Sequence, residues 1–176
     1  MIQTLTAPVP LTTDHHLNDF TCGERVLDDW LKARALHNHR EGISRCFVLC
    51  ADNKVVGYYC LSAGGIHREA APGVLRRNMP DPLPIIVLGR LAMDQGYHNQ
   101  GLGKALLRDA IARVIEASQY IGLVAILVHT LSISAKRFYL SCGFVESPLQ
   151  PMTLMMTVKT IRMLLGEAKT ATPSIS

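Results

Sequence analysis

The sequence predicts an α/β domain on a mixed sheet, and three observations predict it. An apolar strand-like run, Ile85 to Met93, passes through a glycine-rich turn into a strongly helical stretch, Lys104 to Ile121. A continuous apolar run, Leu123 to His129, has the length and polar boundaries of a buried interior strand. Two further runs rich in β-branched and aromatic residues, Ser44 to Ala51 and Lys54 to Leu61, are separated only by Asp52 and Asn53, which reads as an antiparallel hairpin.

The remaining elements follow in order. Leu27, Trp30, Leu31 and Leu36 recur at helical spacing, with Ala35 alongside, predicting a first helix from Arg25 to about His39 with Trp30 in the core. From Ser62 to Pro84 the periodicity dissolves into Gly, Pro, Ala and Arg. A stretch of this length inside a compact domain is more often functional than idle, and a short helix near Val74 to Asn78 is hidden in it. After the glycine turn, Leu106, Leu107, Ala110, Ile111, Val114 and Ile115 form one apolar helix face. Ser132 or Ser134 caps a short helix through Leu140, and Gly143 is placed to end it. A last strand, Met152 to Val158, precedes a short amphipathic piece and a polar end.

Composition bounds what such a chain does. With 176 residues, 48% of them hydrophobic and 18% charged, it is expected to form one domain over residues 1–166, with residues 167–176 a disordered tail. No segment approaches the ~20 apolar residues of a membrane span, and the start carries neither basic nor apolar leader features, so a soluble cytoplasmic protein is expected. Five cysteines lack C-x-x-C pairing, which argues against a disulfide framework or structural zinc. Cys46, Cys50 and Cys60 fall in apolar runs and read as small buried hydrophobes. A net charge of +4 points weakly to a polyanionic partner. Placement says more, because Arg68, Arg76, Arg77 and Arg90 face only Glu69 and Asp81 within the same stretch. Lys32, Arg34 and Arg40 form a second basic group, and Lys136 with Arg137 a third. Singly each reads as a solvated face; together they favour an anionic substrate larger than a metabolite.

The turn itself, Gln100 to Lys104, stands at a helix N-terminus, where unpaired N–H groups and the positive end of the helix dipole converge. Gly101 and Gly103 allow close approach. This is a phosphate cradle, but one that is neither a P-loop nor a complete dinucleotide fingerprint. Alone it equally fits a turn needed only for tight strand-to-helix packing.

Strand, glycine turn, helix, apolar strand and then S-I-S-A-K-R-F-Y-L-S-C-G-F, Ser132 to Phe144, resemble in order and separation the acyl-CoA-binding half of the GCN5-related N-acetyltransferases (GNAT). F-T-C-G-E-R-V-L-D-D-W-L (Phe20 to Leu31), L-R-R-N-M-P-D-P-L-P (Leu75 to Pro84) and L-G-R-L-A-M-D (Leu88 to Asp94) further resemble the acetyltransferase toxins of bacterial toxin–antitoxin modules, over Asp19 to about Thr157. The resemblance implies a mixed, mostly antiparallel central sheet flanked by helices, and acetyl-CoA as cofactor. It implies that Leu91, Ala92 and Met93 offer backbone groups to the pantetheine arm and thioester carbonyl. Gln100, Gly101, Leu102, Gly103 and Lys104 would surround the diphosphate, with Asn99 and Phe138 on the cofactor side, and Tyr139 would face the thioester sulfur as general acid. Each assignment makes chemical sense: a diphosphate needs convergent donors, and pantetheine amides add to an exposed strand edge. A developing oxyanion needs a positioned N–H, and a departing thiolate needs an acid near its own pKa. The alternative for Tyr139 is an aromatic that packs its helix onto the core.

Two positions depart from the superfamily pattern. His98 replaces a common Arg or Gln, and a neutral imidazole brings no charge to phosphate. Ser132 stands where many members carry a cofactor-binding asparagine, a role open to Ser132 or Ser134. The toxin resemblance also implies transfer to the α-amine of aminoacyl-tRNA, with Lys32, Arg76, Arg77, Arg90, Lys136 and Arg137 as phosphate contacts. It implies a homodimer and a small ribbon-helix-helix antitoxin through which DNA is bound. No general base is obvious: Asp94 and Glu146 are near only in sequence, and the histidines are scattered. A GNAT enzyme for a small amine or protein α-amine, and a non-catalytic acyl-CoA-binding module, remain alternatives.

Overall fold

A computed structural model describes residues 4–166, so the expected tail, 167–176, lies outside the described residues. The strands are β1 (Val9–Pro10), β2 (Arg45–Ala51), β3 (Lys54–Ile66), β4 (Leu83–Met93), β5 (Ala125–His129), β6 (Val145–Glu146) and β7 (Thr153–Thr157). The helices are α1 (Arg25–Ala33), α2 (Ala35–Glu41), α3 (Leu102–Ser118), α4 (Ile133–Ser141) and α5 (Val158–Leu164). All seven strands join one sheet in the order β1-β2-β3-β4-β5-β7-β6. Every pairing is antiparallel except β4 with β5, so the mixed, mostly antiparallel sheet expected of the chain is the one found. The parallel pair is joined by the crossover through α3, as a parallel connection requires.

One face of the sheet, with Leu88, Ile126, Val128, Leu154 and Met156, packs against Leu106, Leu107, Ala110 and Val114 of α3 and Ile161 of α5. On the other face, Leu31 and Ala35 of the first two helices cover Cys46, Val48, Cys50, Tyr58 and Cys60. Beside them, Ala71 and Leu75 cover Leu83, Ile85, Ala125, Leu127 and Met155. The arginine-rich stretch is thus a structural layer over half of one sheet face, with two single 3-10 turns, Arg68–Ala70 and Gly73–Leu75, in place of a regular helix. The cysteines on β2 and β3 are buried as small hydrophobes, and burial raises the pKa of the Cys50 and Cys60 thiols.

Two differences from the sequence expectation matter for the site. The single first helix is two: Arg34, at φ −124°, breaks the run, and its N–H still donates to the Trp30 carbonyl. Trp30 is half-buried rather than core, stacked at 6.1 Å on Tyr58 and capped by the Arg90 guanidinium at 4.1 Å. β3 also runs to Ile66 rather than Leu61, because Gly64 and Gly65 continue the ladder opposite Ile85 and Pro84.

Candidate active site

The cleft begins with an irregularity in β4. Arg90 pairs with Cys60 and Leu88 with Leu61, which leaves Gly89 as an extra residue, a β-bulge. The bulge inverts the alternation of side chains. Before it, Leu88 packs on the α3 face; after it, Ala92 packs on the α1 face, and Leu91 and Met93 turn to the α3 side. It also bends the strand away from β5, whose parallel pairing with β4 runs from Ile85↔Ala125 to Leu88↔Val128 and stops.

Leu91 to Met93 therefore keep β3 on one side only, opposite Tyr59, Tyr58 and Gly57. The Asp94 N–H donates to Val56 across that ladder at 2.8 Å. Alternation along an antiparallel strand then turns the N–H and C=O of Ala92 toward β3, and those of Leu91 and Met93 into the cleft. Of the three residues, Leu91 offers its N–H and C=O and Met93 its N–H to the cleft, the Met93 carbonyl being taken by His98; Ala92 contributes a small buried side chain.

At the far end of this edge the turn closes on α3. Gly101 takes φ +74° as the residue preceding the helix, a conformation glycine holds without a steric penalty, and the first N–H claimed within the helix is that of Ala105, by the Gly101 carbonyl at 3.2 Å. The preceding N–H groups, from Leu102 to Lys104, have no helical acceptor. A Cβ on Gly101 would meet nothing within 4 Å, because that position opens onto a cavity of about 550 Å³. The walls of this cavity include Leu91, Ala92, Met93, His98, Asn99, Gly101, Leu102, Gly103, Lys104 and Phe138, nearly the whole set expected to hold a cofactor. Gln100 is exposed and outside the lining. The exposed His98 bonds back to the strand: its Nε2 lies 2.7 Å from the Met93 carbonyl. A carbonyl only accepts, so Nε2 carries the proton, and a neutral His98 has no N–H left for a phosphate. Its role here is to tie the turn to the end of β4.

A second, smaller cavity of about 90 Å³ meets the first at Leu91. Tyr139 lines it, together with Gly89, Arg90, Ser132, Glu24 and His129. Tyr139 is 5% exposed, packed edge-on against Phe138 at 5.1 Å and Phe144 at 5.3 Å. Burial, with a smaller contribution from Cys142, pushes its phenol well above the ordinary range, so it is held protonated. The two readings of Tyr139 are thus not exclusive: its ring belongs to the core and its edge to the cavity. Ser132 caps α4, its Oγ accepting from the Ala135 N–H at 3.0 Å, and it lines the smaller cavity, whereas the exposed Ser134 lines neither.

The six expected phosphate contacts separate. Lys136 is ion-paired with Glu146 and largely buried. Arg76 donates to the Ala71 carbonyl at 2.9 Å and the Glu69 carbonyl at 3.3 Å, bracing its own loop. Arg90 is half-buried over Trp30 at the smaller cavity, while Lys32, Arg77 and Arg137 are exposed. Neither sequence-neighbour carboxylate is a free base. Asp94 accepts from the N–H groups of Thr21 at 3.0 Å and Gly96 at 2.9 Å, and Glu146 holds Lys136. Among the described residues no His, Cys, Asp and Glu cluster suits a metal ion, and no helix is long and apolar enough to cross a membrane. Sequence reasoning missed Glu24, Leu27, His129 and Thr130; the one available signal was that His129 ends an apolar strand on a polar note.

A bulged strand splayed from its parallel neighbour, over a glycine turn that opens a helix, frames the cleft. The family described as acetyltransferase (GNAT) domain matches residues 42–146, and the chain belongs to it. The chain is 48% identical to the tRNA-acetylating toxin of Mycobacterium tuberculosis over 161 residues, 92% of this chain and 97% of that protein. Among solved structures it is similar to AtaT complexed with acetyl-methionyl-tRNAfMet, at 32% identity and TM-score 0.86, covering 92% of this chain and 99% of that one. It is also similar to a Tyr-to-Phe mutant of the AtaT toxin bound to the C-terminus of the antitoxin AtaR and acetyl-CoA, at 31% identity and TM-score 0.80, covering 92% and 98%.

Proposed function

We propose that this acetyltransferase is a toxin that moves the acetyl group of acetyl-CoA to the α-amine of an aminoacyl-tRNA and so stops the charged tRNA from serving translation. The observation that carries this is the 48% identity, over nearly the whole of both chains, to a tRNA-acetylating toxin, in a chain whose cleft has the two adjoining compartments such a transfer needs.

In this reading the larger cavity takes the cofactor. The unclaimed N–H groups from Leu102 to Lys104 receive the diphosphate, and the Leu91 N–H and C=O with the Met93 N–H pair with the pantetheine amides. A Leu91 or Met93 N–H stabilises the oxyanion that forms as the amine attacks the thioester carbonyl. Tyr139, whose edge lines the adjoining cavity, gives its proton to the departing thiolate. Arg90 stands where the acceptor enters, and Lys32, Arg77 and Arg137 are the cations open to tRNA phosphates. An antitoxin of the ribbon-helix-helix kind, reaching DNA on the toxin's behalf, and a toxin homodimer complete the proposal. The AtaT–AtaR complex supports the antitoxin as a partner.

The test is expression of the chain with and without Tyr139→Phe, with the acceptor-amine state of total cellular tRNA measured. N-acetylated aminoacyl-tRNA and growth arrest with the parent, both absent with Y139F, are the expected result. Arrest without acetylated tRNA would overturn the reading.

A further inference from the structure

The reaction leaves one proton without a carrier. An α-ammonium must lose a proton before it can attack, and neither Asp94 nor Glu146 is available to take it. The smaller cavity contains a group that is available and, more tellingly, oriented. His129 is the last residue of β5, at the point where β4 has already turned away, and it lines the cavity with Tyr139, Arg90 and Glu24. Its Nδ1 lies 2.9 Å from the hydroxyl oxygen of Thr153, its cross-strand partner on β7. The Thr153 hydroxyl in turn donates to Gln150 Oε1 at 3.0 Å. A hydroxyl has one hydrogen, so its oxygen can only accept from the ring, and Nδ1 must carry the imidazole proton. Nε2 is left as a lone pair. Thr153 is 4% exposed, so the ring of the exposed His129 is anchored from within the sheet, and the exposed Gln150 closes the relay from the loop before β7.

We propose that His129 is the general base of the acetyl transfer, set in its basic tautomer by the Thr153–Gln150 relay. The proposal rests on the cleft being an acetyltransferase site. Nε2 takes one proton from the acceptor ammonium, and the neutral nitrogen then forms its bond to the thioester carbon. As the C–S bond breaks, the electron pair goes to sulfur, which takes the Tyr139 proton. The second proton of the attacking nitrogen restores Tyr139, and the first leaves His129 for solvent. The ammonium thus loses two protons, one to water and one, in effect, to the coenzyme A thiol. Glu24 is the other proton acceptor at this cavity, but it has no comparable hydrogen bond to set its orientation. Arg90 is cationic, and Tyr139 is the acid.

The experiment is the pH profile of kcat/KM from pH 6 to 9 for the full chain, His129→Gln, Thr153→Val, Thr153→Ser and Glu24→Gln. Acetyl-CoA is the donor, with two acceptors: total charged tRNA and pooled amino-acid ethyl esters. Expected for H129Q is a loss of about 100-fold near pH 6.5 that closes to within about threefold at pH 9, where the α-amine is already neutral. T153V should show the same pH-dependent loss, T153S should restore the parent profile, and E24Q should keep the parent's acid limb. An H129Q profile parallel to the parent at every pH, or an acid limb lost in E24Q instead, would overturn the proposal. Esters acetylated while charged tRNA is not would refute the tRNA reading and still judge His129. Acetylation of neither would refute both.

Discussion

At the scale of single residues, Tyr139 serves both packing and chemistry. Its ring is wedged between Phe138 and Phe144, and only the hydroxyl is assigned to catalysis. Tyr139→Phe should therefore lower kcat by about two to four orders of magnitude. The melting temperature should stay within a few degrees, as measured by calorimetry beside the rate assay. Gly101 makes a complementary case. Its φ of +74° costs any other residue about 1–2 kcal/mol, and the space beyond it is the larger cavity, proposed to hold acetyl-CoA. Gly101→Val should raise the KM for acetyl-CoA by more than its loss of stability accounts for, measured as KM against melting temperature relative to Gly101→Ala. Much of this was legible in the sequence: Gly101 and Gly103 stand in a local motif that a strand-turn-helix reading places without coordinates, and Tyr139 was singled out by the resemblance that Ser132 to Phe144 carries. His98 was visible as an anomaly, but its bond to the Met93 carbonyl depends on how the turn folds back on the strand, and no spacing encodes that.

At the scale of elements, the β4 bulge does the positioning. The strand itself was readable as an apolar run, yet the extra residue at Gly89 shows only in pairing with β3, as does the loss of contact with β5. The same holds for the smaller cavity, which gathers Glu24 before α1, Arg90 from β4, His129 from β5 and Ser132 before α4. Those residues are distant in sequence, which explains why the histidines seemed scattered. The division of the first helix at Arg34 was invisible for a related reason: no glycine or proline marks it, and buried Leu31 and Ala35 decide it by packing. The second half of that pair is tied to β2 by His39, whose Nδ1 accepts from the Cys46 N–H at 3.0 Å. Burial, and then the charge of Arg45, lower the His39 pKa below its ordinary value near 6.5. The unfolded chain thus binds this proton more readily, and stability should fall as pH drops from about 6.5 through the folded value and be level above it. Thermal melts from pH 8 to 5 would check this, with His39→Gln expected to flatten the dependence.

At the scale of the whole molecule, the question is how a small chain would present the proposed tRNA substrate to its cleft. The sequence showed a run of arginines, and the toxin resemblance implied that Arg76, Arg77 and Arg90, with Lys32, Lys136 and Arg137, contact phosphate. The structure divides the labour of the six cations: Arg76, at the surface, braces its own loop, Lys136 is largely buried in an ion pair, and Lys32, Arg77 and Arg137 face outward. Arg77→Ala with Arg137→Ala should weaken charged tRNA by a similar factor whatever its amino acid, and should reduce the salt dependence of KM by about one phosphate contact per cation lost. Arg76→Ala should instead lower stability, because its guanidinium holds two carbonyls of its own loop. Titrating salt against KM for each variant separates the two. The central claim is that the acceptor is the α-amine of a charged tRNA. Its most direct measurement is incubation of the purified chain with isotope-labelled acetyl-CoA and total charged tRNA, followed by nuclease release and mass spectrometry of the 3′-terminal aminoacyl-adenosine. The account predicts label on the α-nitrogen, none on uncharged tRNA and none with Tyr139→Phe. Label on a nucleobase, or equal label on deacylated tRNA, would contradict it.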